Sequence, residues 1–127
     1  MTHNPLKYAD HNPDDFVRTG NNFKWIGVDL DKTLAESVWP HPGIGAPMIG
    51  AIEGAKRLYE LGYKIVVHTS RHWGDYEVIE KWLNYYEIPF KFIWCGKPLV
   101  KFFIDDLAIP FDGDWEATIK KIEGINT

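Results

Sequence analysis

Trp25-Ile26-Gly27-Val28-Asp29-Leu30-Asp31-Lys32-Thr33-Leu34 is the stretch on which the fold turns. The near-continuous apolar run from Phe23 to Val28 reads as a strand of a parallel sheet covered on both faces. Two carboxylates follow at its carboxyl end. Side chains alternate along an extended chain, so Asp29 and Asp31 share a side while Leu30 turns into the protein. Neighbouring carboxylates repel each other, and a divalent cation or a proton held by one of them relieves the repulsion. Either remedy suits catalysis.

Downstream, Glu36 to Pro47 holds three prolines and two glycines, too broken for a helix or a central strand. It reads as a structured loop, a flap beside the acidic motif. From Met48 the apolar positions Ile49, Ile52, Ala55, Leu58, Tyr59 and Leu61 recur at helical spacing, with Gly62 as the stop. Lys64 to His68 is a second strand. Trp73 to Tyr86 is helical, with Asp75 and Glu77 early, where the helix dipole favours acids. Pro89 marks its exit. Phe90 to Trp94 is a third strand, and Val100 to Ile104 a fourth that runs straight into Asp105 and Asp106. Asp112-Gly113-Asp114 opens a last helix that extends to Ile122. Upstream, Asn12-Pro13-Asp14-Asp15 and Gly20-Asn21-Asn22 are turn signals, so residues 1–22 read as an arm or loose segment before a domain spanning 23–127.

This alternation predicts an α/β fold: a single doubly wound, Rossmann-like parallel sheet flanked by helices. Ligands of such sheets sit in a crevice beyond the carboxyl ends of the strands. One crevice would then collect Asp29 and Asp31 from the first strand, Thr69, Ser70 and Arg71 from the second, and Asp105 and Asp106 from the fourth.

Composition narrows the function. A chain of 127 residues with 45% apolar content closes one core. Fourteen basic and eighteen acidic residues leave a net charge of −4, so no general attraction draws in a phosphate backbone. Cys95 is the only cysteine, which excludes an intramolecular disulfide and a thiol-rich zinc site and fits a reducing cytoplasm. No apolar run is long enough to cross a bilayer, and Met1 to Gly20 lacks a signal-peptide core, so no membrane association is expected.

The collected residues match what phosphoryl transfer requires. A phosphate monoester is attacked in line by an oxygen nucleophile, and balancing charge on its equatorial oxygens and protonating the leaving oxygen lower the barrier. Asp29 can attack to give an aspartyl-phosphate. Asp31 can donate a proton to the leaving oxygen and then take one from water. Magnesium accepts carboxylates from Asp29 and from Asp105 or Asp106, together with the Asp31 carbonyl. Thr69 can hydrogen-bond a phosphoryl oxygen, and Lys97 can neutralise the pentavalent state.

Asp29-Leu30-Asp31-Lys32-Thr33, Val67-His68-Thr69-Ser70-Arg71, Gly96-Lys97-Pro98 and Ile104-Asp105-Asp106 resemble the four ordered motifs of the haloacid-dehalogenase-like superfamily. The second aspartate, two residues after the first, is typical of that superfamily's phosphatases and phosphotransferases. The resemblance implies Asp29 as nucleophile, Asp31 as acid and base, Thr69 and Lys97 as phosphate ligands, and a magnesium site built from Asp29, Asp31, Asp105 and Asp106. Lys32 stands where many relatives have glycine, and it faces either solvent or substrate. The intervals between the motifs hold only the intervening helices and strands, so no cap domain fits. Capless relatives tend to act on large phosphorylated molecules or to borrow a neighbouring subunit as a lid, which is compatible with a homo-oligomer.

Plainer readings stand beside these. Asp29 and Asp31 could form a solvated turn, Thr69 could be a strand-end hydroxyl with Ser70 as its equivalent, Lys97 could be a surface lysine, and Asp105-Asp106 could simply end a strand. Arg71 either clamps substrate or holds Asp75 or Glu77. Trp39 and Trp73 either stack on a base or sugar ring or pack loops. His41, His68 and His72 have no helical ligand spacing, and the carboxylates favour a hard ion over zinc. The sequence therefore predicts a magnesium-dependent phosphomonoester hydrolase acting on a nucleotide, a nucleic-acid terminal phosphate or a sugar phosphate. The rival is a catalytically silent module on the same fold that binds metal or phosphate.

Overall fold

A computed structural model describes residues 24–38 and 43–125. The 1–22 arm and Trp39 lie outside the described residues. Three parallel strands form one sheet in chain order: β1 (Trp25–Asp29), β2 (Lys64–His68) and β3 (Phe92–Trp94). The helices are α1 (Ala51–Glu60), α2 (Tyr76–Tyr85) and α3 (Trp115–Ile125), with a short 3-10 turn over Trp73–Asp75. The β1-α1-β2-α2-β3 path is the βαβ unit used twice, since parallel neighbours require a crossover.

Alternation along the strands builds the core. Val28, Ile65, Val67 and Ile93 share one buried cluster with Ala51, Ala55 and Leu58 of α1, Ile79 and Leu83 of α2, and Trp115 and Ile122 of α3. The strand register pairs Asp29 with His68 and His68 with Trp94 across the sheet, so these three lie at the same carboxyl-end level.

Local chemistry explains the ends of the elements. Gly50 at φ 82° caps the start of α1, so the helix begins at Ala51 rather than at Met48. At α3, Asp114 Oδ1 accepts the Ala117 amide at 3.0 Å, and Asp112 Oδ1 accepts the Asp114 amide at 3.1 Å, which makes the Asp-Gly-Asp turn a helix cap.

One expected element is missing. Val100 to Ile104 forms no strand, and β1 is an edge strand among the described residues. A doubly wound sheet needs a strand on that far edge of β1, so the described sheet winds in one direction only. The chain from Pro98 to Ala108 is exposed, apolar side chains included. Pairing on β1 would carry Asp105 and Asp106 to a mouth that already holds Asp29 and Asp31, and like-charge repulsion opposes that approach.

Candidate functional site

The Asp29 turn is built by its backbone. The Leu30 carbonyl accepts amides from Thr33 at 3.3 Å, Leu34 at 2.9 Å and Ala35 at 2.9 Å, and the Lys32 amide donates to Ala35 O at 2.7 Å. Leu30 is fully buried between two half-buried carboxylates, as the alternation requires. Closing so tight a loop puts Lys32 at φ 67°, in the left-handed region where glycine is at ease. The Lys32 side chain is exposed.

Two backbone bonds fix Lys97. Beyond β3, the Gly96 amide donates to Arg71 O at 2.7 Å and the Lys97 amide donates to Thr69 O at 2.8 Å, folding the chain back over the end of β2. Gly96 makes that reversal at φ 83°. Lys97 Nζ then lies 3.9 Å from Asp29 Oδ1 and 4.8 Å from the centroid of the Phe103 ring. Burial pushes the Asp29 carboxyl above its usual range, and the opposing pull of Lys97 and of the Leu30 amide does not cancel this.

Thr69 is buried, with its hydroxyl oxygen accepting the Arg71 amide at 3.1 Å. Ser70 is exposed beside it. Arg71 takes a partner outside both alternatives weighed from the sequence: Nε donates to Asp31 Oδ2 and Nη2 to Asp31 Oδ1, each at 2.9 Å, and Nη2 also reaches Gly43 O at 2.8 Å. Trp73 lies in an aromatic group, stacked on Tyr76 at 6.2 Å and edge-on to Trp94 at 6.0 Å, while staying half-exposed.

Reasoning from sequence gave His68 no role beyond the rejected zinc reading. Its ring packs over Gly27, where an added Cβ would sit 3.2 Å from Cδ2. Burial and the nearby Lys97 hold its pKa down to about 4, so it is neutral at physiological pH. Parallel alternation was the available signal, because the register sets His68 beside Asp29.

The structure brings together Asp29, Asp31, Thr69, Arg71 and Lys97. Asp105 and Asp106 do not join them. Both are exposed, and Asp105 Oδ1 caps its own turn by accepting the Leu107 amide at 2.8 Å. Among the described residues no group of three or more His, Cys, Asp or Glu side chains is placed to hold a metal ion. The expected magnesium centre, with carboxylates from Asp29 and from Asp105 or Asp106 and the Asp31 carbonyl, is therefore not assembled in this arrangement, because Asp105 and Asp106 sit on the exposed 98–108 segment. No helix of the described residues is long and apolar enough to cross a membrane.

No protein-family model and no curated protein matches the chain. Solved structures are similar to it, two of them as follows. A crystal structure from Vibrio cholerae is 26% identical with a TM-score of 0.58, over 78% of this chain and 98% of that one. A conserved protein from Bacteroides thetaiotaomicron is 23% identical with a TM-score of 0.59, over 81% of this chain and 92% of that one. These likenesses support the α/β fold with its small parallel sheet.

Proposed function

We propose that the chain is a phosphomonoester hydrolase of the haloacid-dehalogenase-like, capless kind, with Asp29 as its nucleophile. The observation that carries this reading is the position of Asp29 at the carboxyl end of a parallel strand, 3.9 Å from Lys97 Nζ and level with the end of β2. That is the crevice of an α/β sheet, furnished for an anion. Asp29 Oδ attacks phosphorus and the leaving oxygen departs. Lys97 balances charge on the equatorial oxygens, and the Thr69 hydroxyl is available to donate to one of them. Asp31 supplies the proton to the leaving oxygen, and water then cleaves the aspartyl-phosphate with Asp31 as base.

The substrate classes in view are nucleotides, nucleic-acid terminal phosphates and sugar phosphates, and the lone thiol of Cys95 suits a cytoplasmic setting. Magnesium belongs to the proposal as the ion that would draw Asp105 or Asp106 toward Asp29. The chemistry written here rests on Asp29, Asp31, Thr69 and Lys97 alone. A doubly wound sheet belongs to the same proposal, with residues 100–104 as its further strand.

One observation favours the silent binding module as a second reading: both oxygens of Asp31 are engaged by Arg71. Phosphate release from a panel of nucleotides, oligonucleotide 3′ and 5′ phosphates and sugar phosphates, with and without magnesium, separates the two. Release abolished by Asp29→Asn supports the hydrolase. Binding of phosphate analogues with no release from any ester supports the module.

A further inference from the structure

Arg71 directs three side-chain hydrogen bonds at the site. Its guanidinium is almost wholly buried, with 4% of the side chain exposed. A buried charge of that kind must be paired and fully hydrogen-bonded. The pairing is a two-point fork on Asp31 with both contacts at 2.9 Å, and Nη2 adds the Gly43 carbonyl at 2.8 Å. Its own backbone is equally committed: the amide goes to Thr69 Oγ1 at 3.1 Å, and the carbonyl accepts Gly96 N–H at 2.7 Å. One residue thus touches Asp31, the Thr69 hydroxyl, the turn that presents Lys97, and the 43–47 loop.

A planar fork fixes both distance and orientation of a carboxylate, which a single ammonium cannot do. The loop it holds is anchored independently on its other side, where Trp82 Nε1 of α2 donates to Gly45 O at 3.0 Å. Gly45 is packed so closely that an added Cβ would fall 2.3 Å from Glu36 O. The loop is therefore a firm wall, and Arg71 is its link to Asp31.

We propose that Arg71 is a positioning residue that aims Asp31 and couples it to the 43–47 loop, rather than a clamp on substrate. Nε and Nη2 of its guanidinium already donate to protein oxygens, two on Asp31 and one on Gly43. The Gly43 contact gives the guanidinium a third anchor at 2.8 Å that does not depend on Asp31. The role in turnover rests on the hydrolase reading above; the coupling to the loop does not.

Arg71→Lys keeps the charge and loses the fork, so it tests the role without emptying the site of its cation. Expected for a phosphomonoester that the wild type hydrolyses are a fall in kcat of about 10²-fold, as for a misplaced catalytic group, an unchanged KM, and no further loss when Arg71→Lys is added to Asp31→Asn. Hydrogen exchange of the 43–46 amides, read without substrate, should accelerate in Arg71→Lys and in Asp31→Asn alike. Trp82→Phe, which frees the loop from its other anchor, should accelerate exchange while leaving the Asp31 dependence of kcat intact. A raised KM at constant kcat, with losses that add to those of Asp31→Asn, overturns the proposal in favour of a substrate clamp. If no ester is hydrolysed by any variant, the hydrolase reading fails, and exchange alone decides the coupling: slow 43–46 exchange in both variants overturns it.

Discussion

Lys97 Nζ stands 3.9 Å from Asp29 Oδ1, at the outer limit of an ion pair, and the pair does not repay the burial of the carboxylate. The folded protein therefore prefers Asp29 protonated relative to the unfolded chain, whose ordinary value is 3.8. For a carboxyl raised on folding, stability is lost as pH climbs past the unfolded value and regained in acid. Asp29→Asn should abolish phosphate release and yet raise Tm at neutral pH, with the gap closing as pH falls below the ordinary aspartate value. Thermal melts of both proteins at pH 7.5 and in acid check this. A variant less stable than wild type at neutral pH would mean that Lys97 outweighs burial.

Lys32 carries a side chain at φ 67°. A left-handed L-residue is strained by about 1–2 kcal/mol, part of which glycine gives back through its greater unfolded-state freedom. Lys32→Gly should stabilise the protein by about 0.5–1 kcal/mol, seen as a Tm rise of roughly 2–5 °C. With the side chain exposed, KM should stay at its wild-type value. A rise in KM would assign Lys32 to substrate.

The Trp115 indole links the last helix to the turn over residues 30–35: Nε1 donates to Thr33 O at 2.8 Å while the ring covers Gly54 of α1. A Cβ on Gly54 would lie 2.5 Å from Trp115 Cε3, and the ring cannot retreat without losing that hydrogen bond. Gly54→Ala should cost about 1–3 kcal/mol as overpacking, measured as a lowered urea midpoint. Because the displaced ring carries the Thr33 carbonyl with it, activity should fall too. Unchanged midpoint and activity would show that α1 and α3 separate freely.

Periodicity made the sheet legible. The apolar run of β2 is buried at Ile65, Val66 and Val67 and that of β3 at Phe92 and Ile93, and the strand ends collect where a parallel sheet must put them. The Arg71 fork was not legible, since its partners are 40 residues apart in sequence and Asp75 and Glu77 were nearer acids for the same cation. Lys32 showed only as a departure from a motif; its positive φ follows from three amides converging on one carbonyl, which no side-chain pattern encodes. Residues 100–104 read as a strand because β-branched and aromatic content registers strand propensity, whereas pairing also depends on what the strand's end carries into the site.

That segment supplies the sharpest test of magnesium. Leu99, Phe102, Ile104 and Leu107 are 89%, 77%, 103% and 86% exposed beside a sheet whose β1 edge has no strand partner among the described residues. Burying one such side chain is worth about 1.5–3 kcal/mol, so docking along β1 is favoured by packing and opposed by the Asp105 and Asp106 charges it delivers to Asp29. A divalent cation reverses the sign of that opposition, since carboxylates that repel each other become ligands of one ion. Adding millimolar magnesium should therefore slow amide exchange across 99–106 and raise Tm, and Asp105→Asn or Asp106→Asn should remove both effects at whichever residue ligates. Exchange and Tm that ignore magnesium in the wild type would strip the ion from the proposal and leave Lys97 and Thr69 to carry the phosphate by themselves.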